Sequence, residues 1–215
     1  MPIITAVIPA YNEAGRIVQT LNQVKPFADE IIVVDDASTD RTAVLARESG
    51  AKVFTQPENK GYISAIQYGF NEAGGEIVIT LDADGEFSAQ DIPRMIKPLI
   101  DGHADMVQGH RDIIPRLSER VLTWLAQLKA PVGDSGTGLR ALRTGLARSL
   151  ELKGACICGV FALEVASKGG RIIEIPVALQ KTNKQRKIAW FHFGQFVYLL
   201  PWFFKKFDKK SGKAI

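Results

Sequence analysis

The stretch that decides the fold is Glu76-Ile77-Val78-Ile79-Thr80-Leu81-Asp82-Ala83-Asp84-Gly85-Glu86, an apolar, β-rich run that ends in three carboxylates. Two earlier apolar runs, 3–8 and 30–34, also end in polar loops, and helix-length segments separate the runs. Strands that are apolar on both faces and alternate with helices indicate a mainly parallel sheet covered on both sides. We therefore predict an α/β fold whose polar loops meet at the carboxyl ends of the strands, where such sheets bind ligands.

The spacing of apolar residues predicts the remaining elements. We expect strands over Ile3–Ile8, Glu30–Val34, Ala51–Phe54, Glu76–Leu81, Asp105–Gln108 and Arg171–Leu179. We expect helices over Ala14–Val24, Asp40–Ser49, Ser64–Ala73, Ala89–Ile100, 111–130 and Val160–Ser167. A glycine-rich loop over Gly133–Gly138 is expected to lead into a further helix.

Composition excludes several classes of protein. The chain has 215 residues, of which 46% are hydrophobic and 23% charged, so disordered, collagen-like and disulfide-scaffold proteins are excluded. The net charge of +4 comes largely from lysines in the last eleven residues, and a nearly neutral body disfavours nucleic-acid binding. The N-terminus has no signal-peptide pattern, which predicts a cytoplasmic domain. Cys156 and Cys158 are too close for an easy disulfide and too few for a zinc site, so we interpret them as buried apolar residues.

Asp82 and Asp84 carry the sharpest chemical signal. Two carboxylates one residue apart, on a turn after a buried strand, can approach one hard cation, and Glu86 offers a third. Oxygen ligands at this spacing suit Mg²⁺ or Mn²⁺ bound together with a substrate diphosphate. The alternative is a pair of solvated turn residues or helix caps.

The loops after the first two predicted strands are candidates for binding a nucleoside. Adjacent acids at the end of an apolar strand are costly without partners, so Asp36 is a candidate acceptor for a base N–H or a ribose hydroxyl. Tyr11 is a candidate for stacking on the base, and Glu13 for binding a further donor. The alternatives are structural: Ser38 or Asp40 caps the next helix, and Glu13 belongs to an early helical turn.

The glycine-rich loop Gly133-Asp134-Ser135-Gly136-Thr137-Gly138 is either an ordinary connection or a backbone that approaches a sugar or phosphate closely. It lacks the lysine of a phosphate-binding P-loop, and the chain has no Gly-x-Gly-x-x-Gly after a strand. Hydrolysis of nucleotides and binding of dinucleotides are therefore disfavoured.

The C-terminal segment differs from the rest of the chain. Residues 188–204 carry no formal charge and eight aromatic side chains, and five lysines follow them closely. The run is too short and too polar for an ordinary membrane span, so we predict a segment that lies in a membrane interface. The alternatives are a core or dimer helix, or the start of a membrane region. We accordingly divide the chain into a catalytic domain over 1–187 and an aromatic, basic segment over 188–215.

Taken in series, these motifs resemble glycosyltransferase family 2. The resemblance rests on Pro9-Ala10-Tyr11-Asn12-Glu13, on 33–40, on the Asn59-x-Gly61-x-x-x-Ala65-x-x-x-Gly69 pattern and on Leu81-Asp82-Ala83-Asp84. The loop 134–140 is similar to one branch of the family, the polyprenyl-phosphate (dolichol-phosphate) mannose and glucose synthases. The resemblance covers about residues 3–187 and implies the GT-A fold, a Rossmann-like, mainly parallel sheet with helices on both faces.

The resemblance also implies roles for individual residues. The residues that the resemblance places in contact with the nucleotide sugar are Pro9, Tyr11, Glu13, Val34, Asp36, Asp82, Ala83, Lys181 and Lys187. The residues that it implies as metal ligands are Asp82, Asp84 and Glu86. Arg111 is implied as a catalytic residue near the donor phosphates and the acceptor, and Arg116, Arg120 and Ser135 near an acceptor phosphate. Asp134 stands where related enzymes that use hydroxyl acceptors place a general base; with a phosphate acceptor it is expected to orient Arg140 or the loop. The lid Arg-x-x-Gly-x-Ser-Lys of the family is altered here to 181–187.

The resemblance implies a metal-dependent, inverting transfer of a hexose from a nucleotide sugar, of the GDP-mannose or UDP-glucose type, to a polyprenyl phosphate. Mg²⁺ or Mn²⁺ is the implied cofactor, and the cytoplasmic membrane face is the expected location. The alternatives are transfer to a glycan or lipid hydroxyl, or a catalytically silent module at a membrane. Two further expectations about partners are a homodimer or fused membrane helices. A nucleotidyltransferase is disfavoured because the first loop lacks a glycine- and lysine-rich triphosphate motif.

Overall fold

The computed structural model describes residues 1–114, 116–154, 156–180, 191–205 and 207, and these form a seven-stranded sheet in the order β3-β2-β1-β4-β6-β5-β7. The strands are β1 Ile4–Ala10, β2 Glu30–Asp35, β3 Lys52–Thr55, β4 Ile77–Thr80, β5 Met106–Arg111, β6 Arg140–Arg143 and β7 Ile172–Val177. All of them run parallel except β6, which lies antiparallel between β4 and β5. The prediction of a mainly parallel α/β sheet is confirmed.

Helices cover both faces of this sheet. They are α1 Ile17–Val24, α2 Thr42–Glu48, α3 Tyr62–Glu72, α4 Ile92–Ile100, α5 Leu117–Gln127, α6 Thr144–Ser149, α7 Val160–Ser167 and α8 Phe191–Phe204. Residues that alternate along β1 explain the two layers: Ala6 and Ile8 join the apolar cluster with α1 and α4, while Val7 joins the cluster with α3, α6 and α7. The period-two alternation of a strand sends successive side chains to opposite faces. Helix α3 lies so close that a Cβ at Gly69 would collide with Val7.

Two predicted elements were wrong in their bounds or type. The loop after Gly133 leads into strand β6, and only then into a helix, because Arg140–Arg143 completes the pairing between β4 and β5. Arginines at both ends of this short strand hide its β character in the sequence. The helix predicted over 111–130 begins at Leu117, because residues up to Arg111 continue β5 in register with β7.

The aromatic segment forms helix α8, which packs against α5 and α7. His192, Gln195 and Leu199 are buried on the face toward the protein, as in the core-helix alternative. Val197, Leu200 and Phe204 are exposed on other faces. Within the described ranges, no helix is both long and apolar enough to span a bilayer. The division of the chain at residue 187 falls outside the described residues and stays a prediction.

Candidate active site

A cavity of about 470 Å³ opens at the carboxyl ends of β1, β2 and β4, where the sequence predicts a site. The predicted site residues that line it are Pro9, Tyr11, Glu13, Asp36, Asp82, Ala83, Asp84 and Arg116. They come from four separate loops or helix ends. The topology therefore gathers the candidate nucleoside residues and the paired acids around one space.

Hydrogen bonds between the loops after β1 and β2 fix one wall of the cavity. The backbone N–H of Asn12 donates to Ser38 Oγ at 2.9 Å, and the side-chain Oδ1 of Asn12 accepts from the backbone N–H of Thr39 at 2.9 Å. Asp40 accepts from the N–H groups of Thr42 and Ala14, which ties the start of α2 to the first loop. The cap position of α2 is Arg41, whose side chain makes no capping bond, so Asp40 binds the first helical N–H from outside the cap position. Asn12 has a positive φ of 55°, a conformation that asparagine tolerates better than most residues. The exposed ring of Tyr11 is thus carried by a braced loop.

Asp36 lies deeper in the cavity and is bound by the backbone of the following segment. Its two carboxylate oxygens accept from the N–H groups of Lys60 and Gly61, each at 2.8 Å. Gly61 has a φ of 84° just before α3, so glycine is required for this turn. These bonds offset the cost of burying the charge of Asp36 and fix the orientation of the carboxylate.

Asp82 and Asp84 form the opposite part of the wall. Asp84 is buried, and its Oδ1 accepts from the Glu86 N–H at 3.0 Å; the Ala83 carbonyl accepts from the Thr20 hydroxyl at 3.0 Å. Both carboxylates face the cavity, whereas Glu86 is half-buried just beyond its lining. Carboxylate pairs of this kind match hard cations such as Mg²⁺ and Mn²⁺. The donor set therefore fits the implied metal.

Tyr62, which sequence reasoning missed, lies beside Asp82 on the cavity wall. Burial raises the pKa of its hydroxyl well above the usual value, and the nearby Asp82 carboxylate raises it further. The phenol is therefore a neutral hydrogen-bond donor at physiological pH.

Arg111 and Asp134 are buried behind the cavity, not on its wall. Asp134 is fully buried and accepts from Arg111 Nε at 2.6 Å and Nη2 at 2.8 Å, and from the Gly136 N–H at 3.2 Å. It therefore orients Arg111 and its own loop, as one of the two expectations had it, whereas Arg140 donates to the Ser135 carbonyl. Arg111 Nη2 also donates to Glu119 at 3.1 Å, and Arg116 donates to the other oxygen of Glu119 at 2.7 Å. Burial opposes the charge of Arg111, but Asp134 and Glu119 together hold its pKa above the usual value. This chain of charges positions Arg116 at the cavity.

The remaining predicted residues lie elsewhere. Val34 is fully buried in the apolar core, and Ser135 is buried against the hydroxyl of Thr123 at 2.8 Å. Arg120 is exposed on α5 and is not part of the cavity wall. Lys181 and Lys187, with the altered lid, lie outside the described residues.

Sequence reasoning also missed the far wall, which is lined by Glu119, Gly136, Cys156, Cys158 and His192. These residues come from four separate segments, and His192 joins the others because α8 packs onto α5 and α7. The spacing of the cysteines was visible in the sequence, but no local pattern links them to a histidine 34 residues away.

The family model described as Glycosyl transferase family 2 matches residues 5–163, most of the chain. The chain belongs to glycosyl transferase family 2. The transferase is 35% identical over 122 residues to the low-salt glycan biosynthesis hexosyltransferase Agl6 of Haloferax volcanii, covering 53% of the chain and 29% of that protein. It is 28% identical over 199 residues to the dolichyl-phosphate hexose transferase of the same organism, covering 86% of each.

The fold of the transferase matches a solved glycosyltransferase. Glucosyl-3-phosphoglycerate synthase from Mycobacterium tuberculosis, in complex with Mn²⁺, uridine diphosphate and glucosyl-3-phosphoglycerate, superposes with a TM-score of 0.78 at 23% identity. The superposition covers 94% of the transferase and 80% of that chain. Because the identity is low, this likeness shows the fold alone, which agrees with the GT-A architecture. The family model and this fold together confirm the resemblance to family 2 that the motifs indicate.

Proposed function

We propose that this transferase moves a hexose from a nucleoside-diphosphate sugar to a polyprenyl phosphate. The observation that carries the proposal is that one cavity brings three features together. Tyr11 and Asp36 form the proposed nucleoside wall, Asp82 and Asp84 are the carboxylate pair, and Arg116 supplies a guanidinium. The dolichyl-phosphate hexose transferase that it resembles over most of its length supports the same class of acceptor.

The donor is proposed to bind between the first two loops and the carboxylate pair. Tyr11 offers a ring face for a base, and Asp36 offers an acceptor for an N–H or ribose hydroxyl. Because Asp36 is held by two backbone N–H groups, its position is fixed before the ligand arrives, which reduces the cost of binding.

The carboxylates of Asp82 and Asp84, which both line the cavity, are proposed to hold Mg²⁺ or Mn²⁺. Glu86 follows in the same loop outside the cavity lining, so its side chain would have to turn inward to contribute. When bound, the cation stabilises the negative charge that grows on the departing diphosphate. The solved structure with Mn²⁺ and uridine diphosphate supports this assignment through its fold. The hydroxyl of Tyr62 is buried beside Asp82, so Tyr62 is proposed to orient that carboxylate and not to touch the substrate.

A phosphate acceptor agrees best with the charges on the far wall. A phosphate carries a second pKa of about 6 and is largely ionised at pH 7, so it needs no general base. An acceptor hydroxyl would need one. Asp134 is fully buried against Arg111, and both oxygens of Glu119 accept from arginines, so neither carboxylate is placed to take a proton from the cavity.

The proposed reaction follows from these positions. Arg116 binds the acceptor phosphate at the cavity wall and directs one of its oxygens at the anomeric carbon. That oxygen forms a bond to the carbon while the bond to the diphosphate oxygen breaks, and the electron pair leaves with the nucleoside diphosphate. In-line attack inverts the configuration at the carbon. The Arg111–Glu119–Arg116 chain keeps the cationic side chain in place throughout.

We also propose that the transferase acts at a membrane surface, on the cytoplasmic face, as a peripheral protein. Helix α5 and its C-cap residue expose four apolar side chains at helical spacing, Leu117, Val121, Trp124 and Leu128, with exposures of 73%, 37%, 58% and 56%. The neighbouring helix α8 adds the exposed Val197, Leu200 and Phe204. Arg116 leads directly into the apolar stripe on α5, so a lipid held there could present its phosphate to the cavity. Burying such side chains in an interface would stabilise the bound state by about 1.5–3 kcal/mol each.

The test of the catalytic proposal is a transfer assay with a panel of nucleotide sugars, Mg²⁺ or Mn²⁺, and a short polyprenyl phosphate. We expect release of one nucleoside diphosphate that depends on the lipid phosphate, and loss of that release in Asp84→Asn. Turnover with a polyprenyl alcohol but not with the phosphate would overturn the acceptor. Full activity of Asp84→Asn in a chelator would overturn the metal assignment.

The test of the membrane proposal is sedimentation with vesicles that contain anionic lipids. Trp124→Ser with Leu128→Ser should weaken binding roughly a hundredfold or more, because the two side chains together contribute about 3 kcal/mol or more and each 1.4 kcal/mol corresponds to tenfold. Val44→Ser, which removes an exposed apolar side chain on α2, is the matched control and should bind as the wild type does. Equal binding by the double variant and the control would refute a membrane role for the α5 stripe.

A further inference from the structure

Cys156, Cys158 and His192 form a compact cluster on the far wall of the cavity. Their ligand atoms, two sulfurs and one imidazole nitrogen, all lie within 4.8 Å of one another. Cys158 Sγ and His192 Nε2 are 3.8 Å apart, and neither cysteine is in a disulfide. The sequence offered two cysteines, too few for a metal site; the fold supplies the third ligand.

Hydrogen bonds from α5 and α8 hold these three groups in position. Ser118 Oγ lies 2.7 Å from His192 Nδ1, so a proton on Nδ1 directs the lone pair of Nε2 toward the sulfurs. Gln195 accepts from the Cys156 N–H at 3.1 Å and donates to the Cys158 carbonyl at 3.0 Å. The loop that carries both thiols is thereby fixed to the helix that carries the imidazole.

The donor atoms select a different class of metal from that of the carboxylate pair. Thiolate sulfur and imidazole nitrogen are soft or borderline ligands that favour Zn²⁺, whereas carboxylates favour Mg²⁺ and Mn²⁺. In tetrahedral zinc sites the bonds are about 2.3 Å to sulfur and about 2.0–2.1 Å to nitrogen, so ligand atoms lie roughly 3.5–3.8 Å apart. The distance of 3.8 Å between Cys158 Sγ and His192 Nε2 already meets this spacing. Because the three ligand atoms lie within 4.8 Å of one another, the Sγ of the half-buried Cys156 needs to move by about an ångström at most to reach this spacing.

We propose that Cys156, Cys158 and His192 bind Zn²⁺ through three protein ligands, with the fourth position directed into the cavity. All three residues line that cavity, so a water or an anionic oxygen of a substrate could complete the coordination. Binding releases the two thiol protons to solvent, because the ligands are thiolates. This site is distinct from the carboxylate pair and does not depend on the proposed function.

The test uses the metal-free full chain, kept reduced, and Co²⁺ as a spectroscopic probe for Zn²⁺. At one equivalent of Co²⁺ we expect thiolate-to-cobalt charge-transfer bands and tetrahedral d–d bands, both removed when one equivalent of Zn²⁺ is added. Cys158→Ser and Cys156→Ser should each abolish the charge-transfer intensity or reduce it by about half. His192→Asn should weaken Co²⁺ binding by about tenfold or more.

Asp84→Asn is the matched control, because it alters the carboxylate pair and leaves the thiols untouched; its cobalt spectrum should equal that of the wild type. Circular dichroism checks that each variant folds, and the half-buried Cys156 provides a variant that disturbs the core least. Absence of thiolate bands in the wild type would overturn the proposal. So would bands that persist unchanged in folded Cys156→Ser, or undiminished affinity in His192→Asn.

Discussion

Replacing Asp134 with asparagine tests whether this residue is a buried counter-ion or a catalytic base. The carboxylate is fully buried and accepts four hydrogen bonds, three from Arg111 and one from the Gly136 N–H. Removing one partner of a buried ion pair costs about 3–5 kcal/mol. Glu119 still neutralises part of the charge of Arg111, so we expect a cost of about 3 kcal/mol for Asp134→Asn.

Thermal unfolding measures this cost. For a chain of this size about 1 kcal/mol shifts Tm by roughly 2–4 °C, so Asp134→Asn should lower Tm by roughly 6–12 °C. The matched control is Asp101→Asn, which makes the same substitution in the exposed pair with Lys97 and should leave Tm unchanged within error. Transfer to a polyprenyl phosphate should fall moderately, in proportion to the displacement of Arg116.

The opposite result would refute this assignment. If Asp134→Asn keeps the Tm of the wild type while transfer falls by several orders of magnitude, Asp134 acts on the substrate and not on Arg111. A hydroxyl acceptor with Asp134 as its base would then be the better function.

Three further changes test the packing and the loops. Gly69→Ala should destabilise the fold by about 1–3 kcal/mol, because the added methyl group collides with the Val7 side chain on β1. The control Gly145→Ala places its methyl group in open space and should be neutral or slightly stabilising in the same thermal unfolding assay. Slight burial raises the pKa of Asp40, but hydrogen bonds from Thr42 and its other neighbours outweigh this effect and lower that pKa below 3.8. The ionised Asp40 should therefore stabilise the fold above about pH 4, and this contribution should fade as the pH falls further. In melts at a series of pH values, Asp40→Asn should reduce the loss of stability at acid pH. Asp36→Ala should weaken binding of a nucleoside diphosphate by about tenfold or more in calorimetry, since it removes an acceptor held by two backbone bonds; unchanged affinity would exclude Asp36 from the nucleoside site.

The sequence alone determined the fold class and which strand-end residues meet in the proposed nucleotide site. Strands that are apolar on both faces and separated by helices bury both faces when they form a parallel sheet with helices on each side. In such a sheet the loops after β1, β2 and β4 must meet at one edge. Tyr11, Asp36, Asp82 and Asp84 each lie within a few residues of a strand end, so their convergence follows from topology. Local spacing was sufficient for them.

The bounds of elements near the far wall needed the tertiary structure. Arg140–Arg143 forms a strand because it pairs with β4 on one side and with β5 on the other. The four residues themselves give no sign of this pairing. For the same reason residues up to Arg111 continue β5, since β7 pairs with them. Pairing over long sequence separations overrides local propensity.

Only the tertiary structure decided the charges and ligands on the far wall. The burial of Asp134 against Arg111 depends on the approach of two segments 23 residues apart. This burial favours a counter-ion role for Asp134 over the role of a general base. Cys158 and His192 are 34 residues apart and meet because α8 docks on α5 and α7. Burial and pairing, which set the chemistry of a charge or a thiol, arise from the packing of distant elements, and no periodicity along the chain encodes them.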